Sequence, residues 1–243
     1  MTESPAAQAL LDAFGRIVIL NLPERTDRRR GIEAELQGLG LSLAHPSVLL
    51  FPAIRPEDAG GFPSIGARGA FLSHCAAMEH MLAEGWPRML VLEDDMGFAP
   101  GAMARLPGLA RALAGRDWGI LYGHPGDLPE RTPAADSEGL ITLPADLGLI
   151  QLHFLGLTAA AVSVILPELR RMPTRPEGSP EGGPMHVDGA LNFLRARHPE
   201  LVSLAVAPAI ATQRASRSDI APPRWYDRLP GLRDLIAILR RLR

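Results

Sequence analysis

Residues 88–95 read Arg88-Met89-Leu90-Val91-Leu92-Glu93-Asp94-Asp95, an apolar run that ends in three consecutive carboxylates. An uninterrupted apolar run of this length is typical of a strand buried on both faces, as in the parallel sheet of an α/β protein. Ligands of open α/β sheets bind beyond the carboxyl ends of the strands, where acidic side chains can hold a divalent cation and its phosphate ligand. Side chains alternate along an extended segment, so Glu93 and Asp95 should share one side while Asp94 faces the other. The alternative is an acidic surface turn or a helix cap.

The composition narrows the classes of protein that are possible. The 243 residues suit one large α/β domain, and a formal net charge of −2 argues against a nucleic-acid partner. The single cysteine excludes a disulfide framework and a Cys-rich zinc site. We therefore expect a cytoplasmic protein with neither a signal peptide nor a membrane span. All 25 basic residues are arginine, so any phosphate would be held by arginine, backbone amides or a metal.

The order of apolar runs predicts the architecture. Strands are expected at 17–20, 41–44, 48–51, 88–93, 118–122 and 201–206. Helices are expected at 71–82, 102–114 and 188–197, and a further helix is expected to carry Ile32, Leu36 and Leu39 and to end at Gly38 and Gly40. Residues 149–155 and 157–165 are also compatible with strands. Residues 171–184 are rich in proline and glycine, which predicts a long loop of the kind that often forms a lid. This order predicts an α/β fold with a mostly parallel sheet and helices on both faces.

Two segments near the predicted cleft carry candidate ligand-binding residues. The polar turn at residues 21–30 precedes a helix N-terminus, which can bind phosphate, although ordinary surface arginines are the alternative. In residues 66–74 the glycines predict a tight turn into a helix whose apolar stripe excludes Ser73 and His74. Neighbouring residues on a helix do not face each other, so a nucleophile–base pair is disfavoured, and ligand contact or capping is the better interpretation.

Three later features complete the set of candidates. Asp188 follows the proline-rich loop at a helix start, where it can be an N-cap, a general base for a hydroxyl, or both. In the polar loop after the last strand, Gln213 and Asp219 can close over a ligand. Residues 225–243 combine an apolar stripe with arginines, which predicts a basic amphipathic helix. Such a helix can lie on an anionic membrane surface or pack against the domain or a partner.

These pieces, in this order, resemble glycosyltransferase family 25, the lipooligosaccharide-type glycosyltransferases that also include the collagen galactosyltransferases. The resemblance extends from Ile17 to Ile220. It rests on four elements: Asn21-Leu22 with Arg25 and Arg28, the Gly66–His74 segment, Glu93-Asp94-Asp95, and Val187-Asp188. The Ser-His and Glu-Asp-Asp elements are the most specific of these.

The resemblance implies a single Rossmann-like, nucleotide-sugar-binding domain of the GT-A type at residues 14–222, followed by the amphipathic helix at 223–243. It implies a bacterial enzyme of lipopolysaccharide or lipooligosaccharide biosynthesis that moves galactose or glucose from a UDP-sugar to a glycan or lipid-linked glycan, with inversion. The implied site of action is the cytoplasm, with possible contact between residues 225–243 and the inner membrane.

The resemblance also implies roles for individual residues. Mn²⁺, or Mg²⁺, would be held by Glu93, Asp94 and Asp95, and Asp95 and Asp188 would be catalytic. Many enzymes of this fold supply a late histidine to the metal, but here Gln213 occupies the comparable loop. The expected substrate-binding residues are Asn21, Leu22, Arg25, Arg28, Ser73, His74, Gln213 and Asp219. Two other functions stay open: a nucleotide-sugar phosphohydrolase in which Asp188 activates water, and a non-catalytic nucleotide-sugar-binding protein.

Overall fold

The structure is a computed structural model that describes residues 3–214. The predictions for Asp219 and for residues 223–243 lie outside the described residues. Six α-helices are found within the described range: α1 (Pro5–Phe14), α2 (Thr26–Leu39), α3 (Ile65–Ala83), α4 (Ala102–Ala114), α5 (Ala159–Arg171) and α6 (Val187–Arg197). A short 3₁₀ helix follows α5 at Met172–Thr174. No helix among residues 3–214 combines the length and the apolarity needed to cross a bilayer.

Nine strands, counted within residues 3–214, form one large sheet and one small ribbon. They are β1 (Ile17–Asn21), β2 (Val48–Pro52), β3 (Arg88–Glu93), β4 (Met96–Phe98), β5 (Ile120–Tyr122), β6 (Leu140–Thr142), β7 (Phe154–Thr158), β8 (Ser203–Val206) and β9 (Ala211–Gln213). The seven-stranded sheet has the order β2-β1-β3-β7-β5-β8-β6, and β4 pairs with β9. Strands β7 and β6 run antiparallel to their neighbours, and the other five share one direction. The predicted α/β fold with a mostly parallel sheet is therefore confirmed.

Helices cover both faces of the sheet because the central strands are apolar on both sides. Along β1, Ile17 and Ile19 join a core with α1, α2 and α4, whereas Val18 and Leu20 join a core with α3, α5 and α6. Every residue of β1 is buried, as the uninterrupted apolar pattern requires. The two cores fix the positions of the strand ends, where the polar residues lie.

Several elements differ from the expectation based on sequence. Strands β4, β6 and β9 were not predicted, and residues 41–44 form no strand. Residues 159–165 form the start of α5 rather than a strand. The Thr158 side chain caps this helix by accepting a hydrogen bond from Ala161 N. Buried residues at positions 162, 165, 166 and 169 also follow helical spacing. Helix α1, which no pattern predicted, lies before residue 15 and buries Ala7, Leu10 and Phe14 in the core shared with α4.

Candidate active site

A cleft of about 310 Å³ opens at the edge of the sheet where β1, β2 and β3 end. This is the edge at which the order of strands predicts a ligand site. Part of its lining is apolar and includes Leu22, Ile54, Pro56 and Ile65. The rest is polar or charged and includes Arg28, His74, Glu93, Asp95, His153 and Gln213. One cleft thus combines an apolar surface with a concentrated group of ionisable side chains.

Glu93, Asp95 and His153 converge in this cleft, and we call them the carboxylate–histidine triad. One ligand atom from each lies within 4.8 Å of the others. His153 Nδ1 is 2.6 Å from Glu93 Oε2 and 3.2 Å from Asp95 Oδ1. Among residues 3–214, no directed hydrogen bond satisfies the buried atoms Asp95 Oδ1 and His153 Nδ1, despite these short approaches. Buried carboxylate and imidazole atoms that point at one another in this way fit a bound divalent cation.

Asp94 faces away from the triad. Its carboxylate accepts hydrogen bonds from Asn21 Nδ2 at 2.7 Å and from an Arg28 nitrogen at 2.9 Å. Burial raises the pKa of Asp94, although Arg28 and Asn21 act in the opposite direction. Asp94 therefore connects the turn between β3 and β4 to β1 and α2. Asn21 and Arg28 were expected to bind substrate, and in the structure both contact the Asp94 carboxylate. Arg28 also lies 3.3 Å from Asp95.

His74 supports the triad from α3. The side chain is buried, and its Nε2 lies 3.4 Å from Glu93 Oε1. Burial raises the pKa of Glu93, but its close contacts with the imidazoles of His153 and His74 outweigh that effect and hold this pKa well below its usual range. Glu93 thus stays ionised, as a metal ligand must.

Ser73 has a structural task in this arrangement. Its Oγ accepts a hydrogen bond from Ile54 N at 2.8 Å and donates one to Gly69 O at 2.6 Å. The predicted tight turn at Gly66 and Gly69 is wrong, because both lie inside α3, which begins at Ile65 after the Ser64 cap. A Cβ on Gly69 would lie 2.7 Å from Ile54 O, so this glycine allows the cleft wall to approach the helix.

Replacement of Ser73 by Ala should destabilise the fold by about 1–3 kcal/mol, because it leaves the Ile54 N–H without its partner. Ser163→Ala is the matched control: Ser163 also bonds to the carbonyl one turn earlier, Ala159 O, but it is exposed and receives no long-range bond from the residues that the structure describes. Urea unfolding of both variants measures the difference. Equal stability of the two variants would contradict the structural role of Ser73.

Of the other residues that were expected to bind substrate, some line the cleft and some do not. Gln213 Nε2 donates to Asp95 Oδ2 at 3.3 Å, and Leu22 lines the cleft. Arg25 pairs with Asp27 at 2.9 Å and is not among the residues that line the cleft.

Asp188 also lies away from the cleft lining. It occupies the second position of α6, whose N-cap is His186, so its predicted N-cap position is wrong. Its carboxylate accepts from Gly189 N at 2.8 Å and approaches Gln151 N at 3.5 Å. Gln151 has φ +76°, a conformation rare for a residue with a side chain, and it precedes His153 by two positions. Asp188 therefore contacts the segment that presents His153.

His153 is the residue that sequence analysis missed. It lies directly before β7, which enters the sheet antiparallel between β3 and β5. Phe154 pairs with Leu92, and Glu93 N donates to His153 O at 3.3 Å, so the pairing brings the histidine beside the carboxylates. A lone histidine before an apolar run carries no local signal. Only the pairing of β3 with β7 would have revealed it.

Metal binding should release a proton from His153. Burial lowers the pKa of His153, but the close contacts of its Nδ1 with the Asp95 and Glu93 carboxylates outweigh that effect and raise this pKa to about 10. Below that pH a cation must displace the proton, so affinity should rise by about tenfold per pH unit between about pH 6 and pH 8. Calorimetric titration of MnCl₂ in buffers of different ionisation enthalpy measures both the affinity and the released proton. An affinity that does not change over this range would contradict this arrangement.

The sheet, the cleft and the triad together define a single α/β domain with a candidate cation site. Comparison with curated proteins finds relatives that are named glycosyltransferases. The chain is 27% identical over 142 residues to a Homo sapiens protein named inactive glycosyltransferase 25 family member 3. It is 30% identical over 134 residues to a glycosyltransferase 25 family member of Anopheles gambiae. The resemblance to family 25 is therefore supported by curated relatives.

These matches cover part of each protein. They include 51% and 45% of this chain but only 24% and 22% of the human and mosquito relatives. No protein-family model matches the chain.

Two solved structures have limited structural similarity to this chain. Mannose-1-phosphate geranyltransferase from Thermus thermophilus has a TM-score of 0.36 and 14% identity, over 83% of this chain and 63% of that one. A glycosyltransferase involved in glycosylation of the major capsid of PBCV-1 has a TM-score of 0.37 and 11% identity, over 79% and 94%. The topology of the sheet carries the fold assignment by itself.

Proposed function

We propose that the protein is a metal-dependent glycosyltransferase that moves a hexose from a UDP-sugar to a hydroxyl of a glycan acceptor, with inversion. The observation that carries this proposal is the convergence of Glu93, Asp95 and His153 in a cleft that also offers an apolar surface. A nucleotide diphosphate needs both parts of such a cleft. Its base and ribose bury carbon surface, and its phosphates need positive charge.

The triad offers two carboxylates and one imidazole. Carboxylates suit Mn²⁺ and Mg²⁺, and the imidazole favours the transition ion, so we propose Mn²⁺ with Mg²⁺ as the alternative. When bound, the cation neutralises the charge that develops on the leaving diphosphate. His74 keeps Glu93 ionised and oriented for this ion, and Gln213 orients Asp95.

The donor would lie along the apolar part of the cleft. Leu22, Ile54 and Ile65 offer carbon surface to the nucleoside, and the two isoleucines are exposed by 38% and 45%. Burial of that surface would stabilise a bound nucleotide. Arg28, which lines the cleft beside Asp95, is the cation best placed to contact the diphosphate.

Inversion requires a base on the acceptor side. Asp188 does not line the cleft, and we propose it for this role because its carboxylate contacts the segment that presents His153 to the cleft. The acceptor hydroxyl gives its proton to this carboxylate while its oxygen bonds to the anomeric carbon. The bond between that carbon and the diphosphate oxygen breaks at the same time, and UDP leaves.

The acceptor we propose is the glycan of a bacterial lipopolysaccharide or lipooligosaccharide, modified at the cytoplasmic face of the inner membrane. The catalytic domain predicted at residues 14–222 would also include α1, because Leu10 and Phe14 pack in its core, and residues 225–243 would hold it against anionic lipid. A chain that ends at residue 224 should then lose binding to anionic vesicles that the full chain retains.

The test is release of nucleotide from a panel of nucleotide sugars, with MnCl₂ or with EDTA, in the absence and presence of candidate glycan acceptors. Mn²⁺-dependent release of UDP from one donor, accelerated by an acceptor, supports the transferase. Release that no acceptor changes favours the phosphohydrolase. Metal-dependent UDP binding without turnover favours a non-catalytic protein, and absence of both binding and turnover overturns the proposal.

A further inference from the structure

Arg214 lies against the main chain of the turn that carries the metal-binding acids. Its backbone N donates to Asp95 O at 2.7 Å. Its guanidinium donates to Met96 O at 2.9 Å and to Asp94 O at 2.5 Å. One residue therefore satisfies three consecutive carbonyls, and these three peptide groups set the directions of the side chains at positions 94 and 95.

Two glycines make room for this guanidinium. A methyl group on Gly31 of α2 would overlap it, and a methyl group on Gly97 of β4 would lie 2.9 Å from Arg214 Cγ. Gly31 lies in the interior of a helix, where glycine is less favourable than alanine by roughly 1 kcal/mol. The close approach of Arg214 gives this otherwise unfavourable glycine a reason.

We infer that Arg214 is a positioning residue of the metal site. By fixing the peptide groups of residues 94–96, it holds Asp95 toward Glu93 and His153 while Asp94 faces Asn21. The planar fork of arginine serves two carbonyls at once, which the single ammonium of lysine does less well. This inference rests on the proposed function only in that it takes the triad as a metal site.

The direction of the change in Mn²⁺ affinity distinguishes a positioning role of Arg214 from a purely electrostatic one. Removal of a positive charge near a cation site would by itself leave Mn²⁺ affinity unchanged or increase it. Loss of positioning should decrease it, typically by about 10–100-fold when a residue that orients a ligand is removed. Arg214→Met should therefore bind Mn²⁺ at least about tenfold more weakly than the unmodified chain if the geometry is what matters.

Gly31→Ala tests the same point without any change of charge. It should displace the guanidinium and weaken Mn²⁺ binding in the same direction as Arg214→Met. Gly38→Ala is the matched control on the same helix, because its methyl group would meet only the flexible end of Met103, at 3.1 Å. Arg214→Lys should restore part of the affinity lost in Arg214→Met.

The experiment measures Mn²⁺ dissociation constants of the full chain and these four variants by calorimetry, with thermal unfolding as the check on folding. Weaker binding in Arg214→Met and Gly31→Ala, with Gly38→Ala unchanged, supports the inference. Undiminished binding in Arg214→Met and Gly31→Ala overturns it, and if Arg214→Met does not fold, Gly31→Ala and Arg214→Lys decide.

An unmodified chain that binds Mn²⁺ without turning over any UDP-sugar would refute the transferase and leave this inference standing. An unmodified chain that binds no Mn²⁺ refutes the metal site itself.

Discussion

Asp95→Asn is expected to reduce Mn²⁺-dependent turnover of the UDP-sugar by at least about 1000-fold, because the bound cation supplies several kcal/mol of charge stabilisation. Asp95 is buried, and its Oδ1 lies 3.2 Å from His153 Nδ1 within the triad. Asn has nearly the same shape and still offers an oxygen to Gln213 Nε2, so the fold should survive. Release of UDP and thermal unfolding, measured on the same preparation, separate the two effects.

Asp146→Asn is the matched control for this variant. Asp146 pairs with Arg131 on the surface, and both side chains are more than half exposed. Such a pair contributes about 0–1 kcal/mol to stability, so turnover should not change measurably. An Asp95→Asn variant that turns over as fast as the unmodified chain would remove Asp95 from the proposed mechanism.

His153→Ala should weaken Mn²⁺ binding by at least about 100-fold, since even residues that only orient a metal ligand cost about 10–100-fold when removed. The imidazole is the one nitrogen ligand of the triad and lies between the two carboxylates, 2.6 Å from Glu93. Calorimetric titration of MnCl₂ measures the loss. Turnover should fall in parallel at low Mn²⁺ and recover in part at high Mn²⁺.

His198→Ala controls for the loss of an imidazole as such. His198 pairs with Glu200 at 2.9 Å on the surface after α6. This variant should bind Mn²⁺ as the unmodified chain does. If His153→Ala also binds Mn²⁺ with undiminished affinity, the triad is an ion-paired cluster and the cation binds elsewhere.

The features that the sequence predicted are those that depend on the local pattern of apolar and polar residues. Burial of residues 89–92 on both faces follows from their uninterrupted apolar run. Asp94 and Asp95 face opposite directions, as the sequence predicted, although both lie in the turn between β3 and β4 rather than in an extended strand. The position of the acids at a sheet edge follows from the order of strands and helices. These features need no knowledge of distant parts of the chain.

The features that sequence analysis missed depend on long-range pairing. His153 reaches Glu93 only because β7 runs antiparallel beside β3, and an apolar run does not reveal its direction or its neighbour. Gly69 signalled a turn, yet it is a helical residue whose small size accommodates Ile54 O. Arg214 was one arginine among many until the structure placed it beside Asp94–Met96. Sequence spacing cannot supply such contacts.

The most direct test of a cation held by the carboxylate–histidine triad is a crystal structure with MnCl₂ and UDP, recorded at the manganese absorption edge. We expect an anomalous peak bonded to Glu93, Asp95 and His153, with the UDP phosphates on the same ion and the nucleoside against Leu22 and Ile54. UDP bound in the cleft with no manganese peak at these three residues, or a peak held by other residues, would contradict it.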